Sequence, residues 1–480
     1  MNTININKKA FVSSVLVLLV LMILAGVLTN IIPAGRYERQ LVDGRLIIDP
    51  DFFQYTDKPS FLIWRWFVAP IEVLWSNDAP IVIAIIIFLL VIGGAFAVLN
   101  RSNLLTYLIS KIVRAFGQQK YLLLASIVFA FMMLGSVVGI FEEIIPLIPI
   151  IVALSYSLGW DSLTGLGMSF LATGFGFASG IANPFTIGVA QKIAGLPLFS
   201  GIFLRVIVFV VMYTVLSLFL IKYAKRIEKN PEKSLVYHAD TDEKKTIRDD
   251  KLDLTTLNIT KLNRASGWFV FIVLCIFLLI FSASIIEGLA DYSLLIIGLL
   301  FLIGGLGSGL FAGLKFKTVI STFFKGTLGI SPGILMILMA TSVKHIITRA
   351  GIMDSILHYA AEFIINTTSI VSILLIYLLV LIMNFFIGSG SAKAFLIMPI
   401  VIPLVDLIGI NRQIAVLAFA FGDGFSNVIY PTNAVLLISM GLTTVSYPNW
   451  FKWIIKLQLL ILVITSILLL FALVTNYGPF

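Results

Sequence analysis

The sequence predicts an all-α polytopic membrane protein made of two inverted repeats, each holding a re-entrant helical hairpin and a broken transmembrane helix. Three observations carry that prediction. Hydrophobic types make up 59% of the 480 residues and charged types 12%, against a roughly even apolar share and ~25% charge in a soluble domain. Apolar runs long enough to span a bilayer recur along the chain between short polar loops. Two Gly/Ser-rich interruptions also recur, one in each half. The first, Gly135-Ser136-Val-Val-Gly139-Ile-Phe-Glu142-Glu143, leads into Pro146 and Pro149; the second, Gly388-Ser389-Gly390-Ser391-Ala392-Lys393, leads into Pro399 and Pro403. Pro149 and Gly159 are matched by Pro399 and Gly409, each 250 residues on. Corresponding interruptions in two halves point to the binding site of a secondary transporter.

The N-terminus places Lys8 and Lys9 before an apolar run over 11–32. That run is longer than the ~7–15 residues of a signal-peptide core and has no clean small-residue cleavage site after it, so it is expected to be a retained span entering from the cytoplasm. The loop 33–79 has more acids (Glu38, Asp43, Asp49, Asp51, Asp57, Glu72 and Asp78) than bases and is expected outside. A span over 80–99 follows and ends at Arg101, Lys111, Arg114 and Lys120, a basic cluster that belongs in the cytoplasm. A helix over 103–116 is expected to lie along the interface. Residues 121–159 hardly fit two spans of ~20 residues plus a loop, and 369–409 has the same difficulty. Both read better as hairpins that leave by the face they entered.

Spans over 162–190 and 202–221 close the first half. The stretch from Lys222 to Arg264, with Lys225, Arg226, Lys229, Lys233, Lys244, Lys245, Arg248 and Lys251, is the largest polar interruption and is expected in the cytoplasm. It divides the chain into a first repeat (1–222), a linker (223–266) and a second repeat (267–480). Spans follow at 267–285, 292–313, 328–347, 413–440 and 450–473. Alternate crossings make 328–347 run outward, whereas its counterpart 80–99 runs inward, so the repeats are inverted. Such repeats let one rearrangement expose a central site to either side.

Irregular backbone at membrane depth is tolerated where it is buried in protein or lines an aqueous cavity, so the tips are expected to line the substrate path. Gly135, Gly139, Gly388 and Gly390 let the backbone approach a ligand closely. Ser136, Ser389 and Ser391 add hydroxyls, and amides at the following helix N-termini favour an anionic group. Glycine and serine also pack membrane helices together; the duplication of the tips is what favours a site. Glu142, Glu143 and Lys393 are ionisable groups in apolar sequence, each costing roughly 2.5–3.5 kcal/mol unless solvated or paired. With Lys393 and tip amides on a carboxylate and the glutamates on an amine or guanidinium, the tips suit a zwitterion or a cationic amino acid. The bland alternative is a structural ion pair between Lys393 and a glutamate.

Each hairpin is followed by a second break. One reads Gly174-Phe-Gly176-Phe-Ala-Ser179-Gly180-Ile-Ala-Asn183-Pro184-Phe-Thr186, and the other Phe421-Gly422-Asp423-Gly424-Phe-Ser426-Asn427-Val-Ile-Tyr430-Pro431-Thr432-Asn433. Ser179 to Pro184 and Ser426 to Pro431 have the same spacing. Proline removes an amide donor and unwinds the helix, which frees carbonyls for a substrate amine, a water or a cation. Asp423, between glycines, is the strongest acidic candidate; its structural alternative is to hold the unwound helix. Asn183, Thr186, Ser426, Asn427, Thr432 and Asn433 complete the substrate-binding set.

Other polar residues rank lower. Arg205, Lys192, Lys344 and Arg349 sit near span ends, where snorkelling is the usual explanation. Asp406 is expected to be solvated, and His238, His345 and His358 show no ligand spacing, so neither a metal nor a cofactor is implied. The single cysteine, Cys275, lies in an apolar run. A net charge of +9 gathers in loops and fits the positive-inside rule better than a nucleic-acid partner. Gly388 to Lys393 lacks the Gly-Lys-Ser/Thr of a phosphate-binding loop, which removes the main enzyme reading. A channel stays open, since re-entrant loops also build filters.

Gly422-Asp423-Gly424-Phe425-Ser426 with Tyr430-Pro431-Thr432, preceded by Ser389-Gly390-Ser391 and Met398-Pro399, and in the first half Glu142-Glu143 and Asn183-Pro184-Phe185, resemble the YfcC-type transporters over nearly the whole chain. These are grouped with the anaerobic C4-dicarboxylate carriers in the ion transporter superfamily. The resemblance implies an inverted-repeat, elevator-type carrier in the cytoplasmic membrane and exchange of basic amino acids such as arginine for ornithine. The family pattern has glutamine or lysine at the position of Lys393 and glycine at that of Ala392, so the fine preference is open. A C4-dicarboxylate carrier is the near rival, against which Glu142, Glu143 and Asp423 would repel a dianion. Proton, sodium or no ion remain open as coupling partner, and a homodimer would supply the fixed scaffold that an elevator needs.

Overall fold

The structure, a computed structural model, describes residues 8–42, 45–57, 62–116, 119–241, 259–283, 286 and 289–478. Asp43 of the acidic loop and Lys244, Lys245, Arg248 and Lys251 of the linker lie outside the described residues. In chain order the elements begin with α1 (Lys8–Ile31), β1 (Gly35–Val42), β2 (Arg45–Tyr55), α2 (Trp64–Glu72), α3 (Ala79–Arg101), α4 (Leu104–Phe116) and α5 (Lys120–Met133). Then come α6 (Ile148–Ser157), α7 over 162–179, α8 over 184–193, α9 (Ile202–Lys229), α10 (Ile259–Ala283), α11 (Leu289–Phe311) and α12 (Phe316–Ile330). The chain closes with α13 (Pro332–Arg349), α14 (Met353–Ile365), α15 (Ser369–Phe386), α16 (Gly390–Ile408), α17 (Arg412–Ser426), α18 (Ala434–Gly441) and α19 (Tyr447–Val474). Among the described residues ten helices are long and apolar enough to cross a membrane, and this is a multi-pass membrane protein.

The chain is overwhelmingly helical, as expected, with one two-stranded sheet beside the helices. Strands β1 and β2 pair antiparallel within the loop after α1, with a bulge between the Tyr37–Phe53 and Arg39–Ile48 pairs. Pro50, which has no amide to give to a ladder, falls in that bulge. The hairpin is held by α14 rather than by itself. The Tyr37 amide and the Arg39 guanidinium each donate to Asp354 at 3.0 Å, and the Phe53 ring stacks on His358 at 3.8 Å. A lone two-stranded hairpin is marginal in water, so these tertiary contacts are what the loop sequence did not announce.

Helix α3 is the centre of a close-packed layer. Gly305 and Gly309 of α11 meet Ala95 and Val98, while Ile330 and Gly326 of α12 meet Gly93 and Ala97. Small residues bring backbones together where no hydrophobic force separates helix from lipid. The residue order makes α11 parallel and α12 antiparallel to α3. Through Ser331, α12 continues into α13 with a 40° bend. The crossing expected over 328–347 therefore starts at Phe316, and Pro332 at the start of α13 is where its ladder is interrupted. At the far end Lys344 pairs with Asp78 at 2.8 Å and His345 with Glu72 at 3.3 Å.

The first hairpin comprises α5, a π turn over Leu134–Val138, a left-handed Gly139 (φ +78°), a 3-10 turn over Glu142–Leu147, and α6. Leu123 and Leu154 pack together, so the arms return side by side. The second hairpin is α15, a short tip and α16, capped by Ser389 on the Ala392 amide at 3.4 Å. Helices α7 and α17 cross in backbone contact. A methyl on Gly424 would overlap Ala178, one on Gly174 would overlap Val428, and the rings of Phe175 and Phe425 lie 5.4 Å apart.

Both helices after the hairpins break, and both halves of each are capped by side chains. Asp161 caps α7 through the Thr164 amide at 2.8 Å, and Asn411 caps α17 through the Gln413 amide at 2.9 Å. Asn183 caps α8 through the Phe185 amide at 2.9 Å, and Asn433 caps α18 through the Leu436 amide at 3.2 Å. Each pair of caps is 250 residues apart (161 to 411, 183 to 433), whereas the prolines are not. Pro184 opens α8, while Pro431 lies inside the break ahead of α18. Helix α9, which closes the first half, runs on to Lys229, and 230–241 folds back on the end of the first hairpin. There Asp240 accepts from the Ser162 amide and hydroxyl at 2.7 Å and from Tyr156 at 2.9 Å.

Candidate functional site

The tips and the breaks meet. Ser136 in the first tip accepts the Ile181 amide at 2.9 Å and its carbonyl accepts the Ala182 amide at 3.0 Å, which ties the tip to the first break. Gly135 is pressed on the Thr173 backbone, and a methyl on Gly139 would come within 2.5 Å of the Asn183 side chain. In the second tip, Ser391 donates to the Phe185 carbonyl at 2.9 Å. A methyl on Gly390 would sit 2.9 Å from both Asp423 Oδ2 and the Thr186 methyl. A glycine is therefore required where the second tip closes over the junction of α8 and α17.

Asp423 and Lys393 are both fully buried and form an ion pair. The ammonium also donates to Asn384 Oδ1. Asn384, in the last turn of α15, was not singled out from the sequence, although an amide inside that apolar run was a visible signal. Its Nδ2 donates to the Asp423 carbonyl at 3.0 Å, Ser426 Oγ at 2.6 Å and Asn427 Oδ1 at 3.0 Å. Asn433 donates to the same Asn427 oxygen at 3.1 Å. Ser426, Asn427 and Asn433 are thus one network around Asn384. Thr432 stands apart, on the Phe385 carbonyl at 2.7 Å, and Ser389 is exposed at its cap.

Three buried polar atoms at this junction have no hydrogen-bond partner: Asp423 Oδ2, Thr186 Oγ1 and Asn183 Nδ2. Each such group costs ~1–3 kcal/mol when left unsatisfied. They comprise a carboxylate acceptor, a hydroxyl and an amide donor, which is a set able to take both an amine and a carboxylate. Asparagine 183 cannot turn away, since its Oδ1 is committed to the cap.

The glutamates do not face Lys393. Glu143 accepts from the Phe141 amide at 3.1 Å and from Ser293 of α11 at 3.4 Å. It lines a small, largely apolar pocket between the first hairpin and α10 and α11, with Leu134, Val273 and Phe301 among its walls. Glu142 is exposed, close enough to Glu143 and Asp423 for the charges to interact. The cation of the second tip is neutralised by its own neighbour rather than by the first tip, so the glutamate alternative for that pair does not hold.

Arg205 corrects the snorkelling expectation. It is 1% exposed and donates to the carbonyls of Ser200 at 2.7 Å, Phe199 at 3.0 Å and Ile181 at 3.2 Å. It satisfies one carbonyl of the first break and two of the loop before its own helix instead of reaching for the interface. Asp406, by contrast, is exposed as expected and forms a two-point pair with Arg412 at 2.8 and 2.7 Å.

Residues 11–474 match the family described as C4-dicarboxylate anaerobic carrier, DcuC. The chain is 31% identical over 507 aligned residues to YfcC of Escherichia coli (strain K12), whose name proposes a basic amino acid antiporter; 98% of each chain is covered. It is 26% identical over 392 residues to an uncharacterized protein of Haemophilus influenzae, covering 80% of this chain and 74% of that one. Among solved structures, the YdaH transporter of Alcanivorax borkumensis aligns at TM-score 0.44 and 16% identity, over 97% of this chain and 100% of that one. MtrF of Neisseria gonorrhoeae, placed by its description in a class of antimetabolite efflux pumps, aligns at TM-score 0.42 and 17% identity over 97% of each.

Proposed function

Because the chain belongs to the C4-dicarboxylate anaerobic carrier family, we propose that it is a secondary transporter that exchanges amino acids, basic ones first, across the cytoplasmic membrane. The observation that carries this reading is the trio of unpartnered buried atoms. Asp423 Oδ2 and Thr186 Oγ1 would take the N–H groups of an ammonium or guanidinium, and Asn183 Nδ2 would donate to a carboxylate. Lys393 cancels the single charge of Asp423, and the acidic side chain of Glu142 nearby favours a cationic substrate over a dianion.

Movement is assigned to inverted repeats working as an elevator, with the hairpins and broken helices carrying the substrate past α3 and its neighbours. The matched caps 250 residues apart and the opposite runs of α3 and of α12 with α13 support that division. In this orientation the N-terminus and the linker are cytoplasmic and the β-hairpin is outside. The family description favours the rival substrate, a C4-dicarboxylate. Uptake of labelled arginine and labelled succinate into proteoliposomes decides between them. Arginine flux stimulated by internal arginine is expected, whereas succinate flux without arginine flux overturns the reading.

A further inference from the structure

We propose that the Lys393 ammonium is a tethered substitute for a coupling cation, so that transport draws nothing from a gradient of inorganic cations. The inference rests on the reading of the chain as an amino-acid carrier. In transporters with broken helices, the C-terminal ends of half-helices, with unwound carbonyls, hold the coupling sodium or proton. Here Nζ of Lys393 lies at two such ends. Asn384 is in the last turn of α15, which ends at Phe386, and Asp423 is in the last turn of α17, which ends at Ser426.

Lys393 itself belongs to the first turn of α16, where the helix dipole opposes a cation and burial opposes any charge. The ammonium persists there because its surroundings are built for it. Asp423 supplies the counter-charge, and the three bonds of Asn384 Nδ2 fix its oxygen towards Nζ. The corresponding junction in the first half is closed differently. A methyl on Gly176 would overlap the Met132 carbonyl, and one on Gly135 would overlap the Thr173 carbonyl. One junction is filled by backbone against backbone and the other by a covalently attached cation. A tethered group never leaves, so it carries no gradient energy.

The test uses the purified full chain in proteoliposomes loaded with arginine. Wild-type exchange should agree within about twofold in sodium, potassium and choline media, because a tethered ammonium is present at high effective concentration in all three. Lys393→Ala should lose about tenfold or more in choline and regain exchange with about 100 mM sodium or methylammonium, which must replace that effective concentration from solution. A substrate-independent readout is melting: the wild type should be indifferent to these cations, and Lys393→Ala should be stabilised by them through binding linkage. Wild-type exchange that falls about tenfold in choline overturns the proposal, since a tether cannot be washed out. So does Lys393→Ala exchanging at the wild-type rate in choline, or melting independently of both cations. Should Lys393→Ala not fold, Lys393→Ala/Asp423→Asn removes both charges and is expected to fold and ignore cations; a sodium response in it overturns the assignment. If the wild type moves no amino acid, the amino-acid reading falls and the melting data alone decide the tethered cation.

Discussion

At the scale of single residues, the unusual groups are those whose chemistry is unfinished. Thr186 is buried with a hydroxyl that bonds nothing, and valine has the same shape without it. Thr186→Val should therefore keep or raise the melting temperature while raising the KM for arginine about tenfold, the worth of one hydrogen bond of ~1.4 kcal/mol. A lower melting temperature with unchanged KM would return Thr186 to a packing role. The Lys393–Asp423 pair engages one carboxylate oxygen only and is costly. Lys393→Ala should destabilise by about 3–5 kcal/mol, since it leaves a buried carboxylate alone, and adding Asp423→Asn should recover most of that loss. Lys393→Ala in sodium-free medium and Asp423→Asn should each abolish exchange with protein still in the membrane. Denaturation and flux on the two single variants and the double variant check both statements.

At the scale of elements, glycines do two different jobs. Gly176 lets α7 lie on the Met132 backbone of the first hairpin, a close approach that admits no side chain. Gly409 ends α16 at φ +73° with nothing near its missing methyl. Gly409→Ala should cost only about 1–2 kcal/mol of backbone strain. Gly176→Ala must push two helices apart and should cost more than the 1–3 kcal/mol typical of overpacking. Comparing the folded fraction of the two variants by gel filtration tests the distinction. The segment 230–241 is held by buried Val236 and by polar contacts centred on Asp240. Burial and the charge of Asp161 push the Asp240 carboxyl above its ordinary value. A raised carboxyl contributes stability at pH below the unfolded pKa and loses it as pH rises through the folded one. Docking of 230–241 should thus tighten on acidification, read as slower amide exchange after correction for intrinsic rates. Asp240→Ala should flatten that dependence.

At the scale of the whole molecule, the proposed elevator movement requires the first hairpin to leave α11. Glu143 and Ser293 face each other across that boundary at 3.4 Å. In a chain with Cys275→Ser, a short bifunctional reagent that couples through disulfides should join Glu143→Cys to Ser293→Cys and slow exchange by about tenfold or more, with recovery on reduction, because the short tether forbids the displacement. Unchanged exchange in fully cross-linked protein would rule out movement across this boundary. The β-hairpin belongs to the same scale. It grows from the loop between α1 and α2, yet it is anchored on Asp354 and His358 of α14, some three hundred residues later in the chain.

The sequence by itself determined the membrane class, the order of spans, the paired hairpins and the tips, because hydropathy and breakers are local and a bilayer allows few structures. It also marked Asp423, Lys393, Asn183 and Thr186, whose polarity is expensive in apolar runs. Only the tertiary structure decided who meets whom. Lys393 is 30 residues from Asp423 and 250 from Glu143, and spacing could not rank these partners; helix ends converging on one point did. The roles of Arg205 and Asn384 could not be read along the chain, because Arg205 bonds loop and break carbonyls and Asn384 bonds side chains and backbone of α17 and the break after it. The span beginning at Phe316 was shortened by the lysines and the proline within it, which its packing on α3 accommodates. Local chemistry is written along the chain, but pairing of buried charges is a property of the three-dimensional junction.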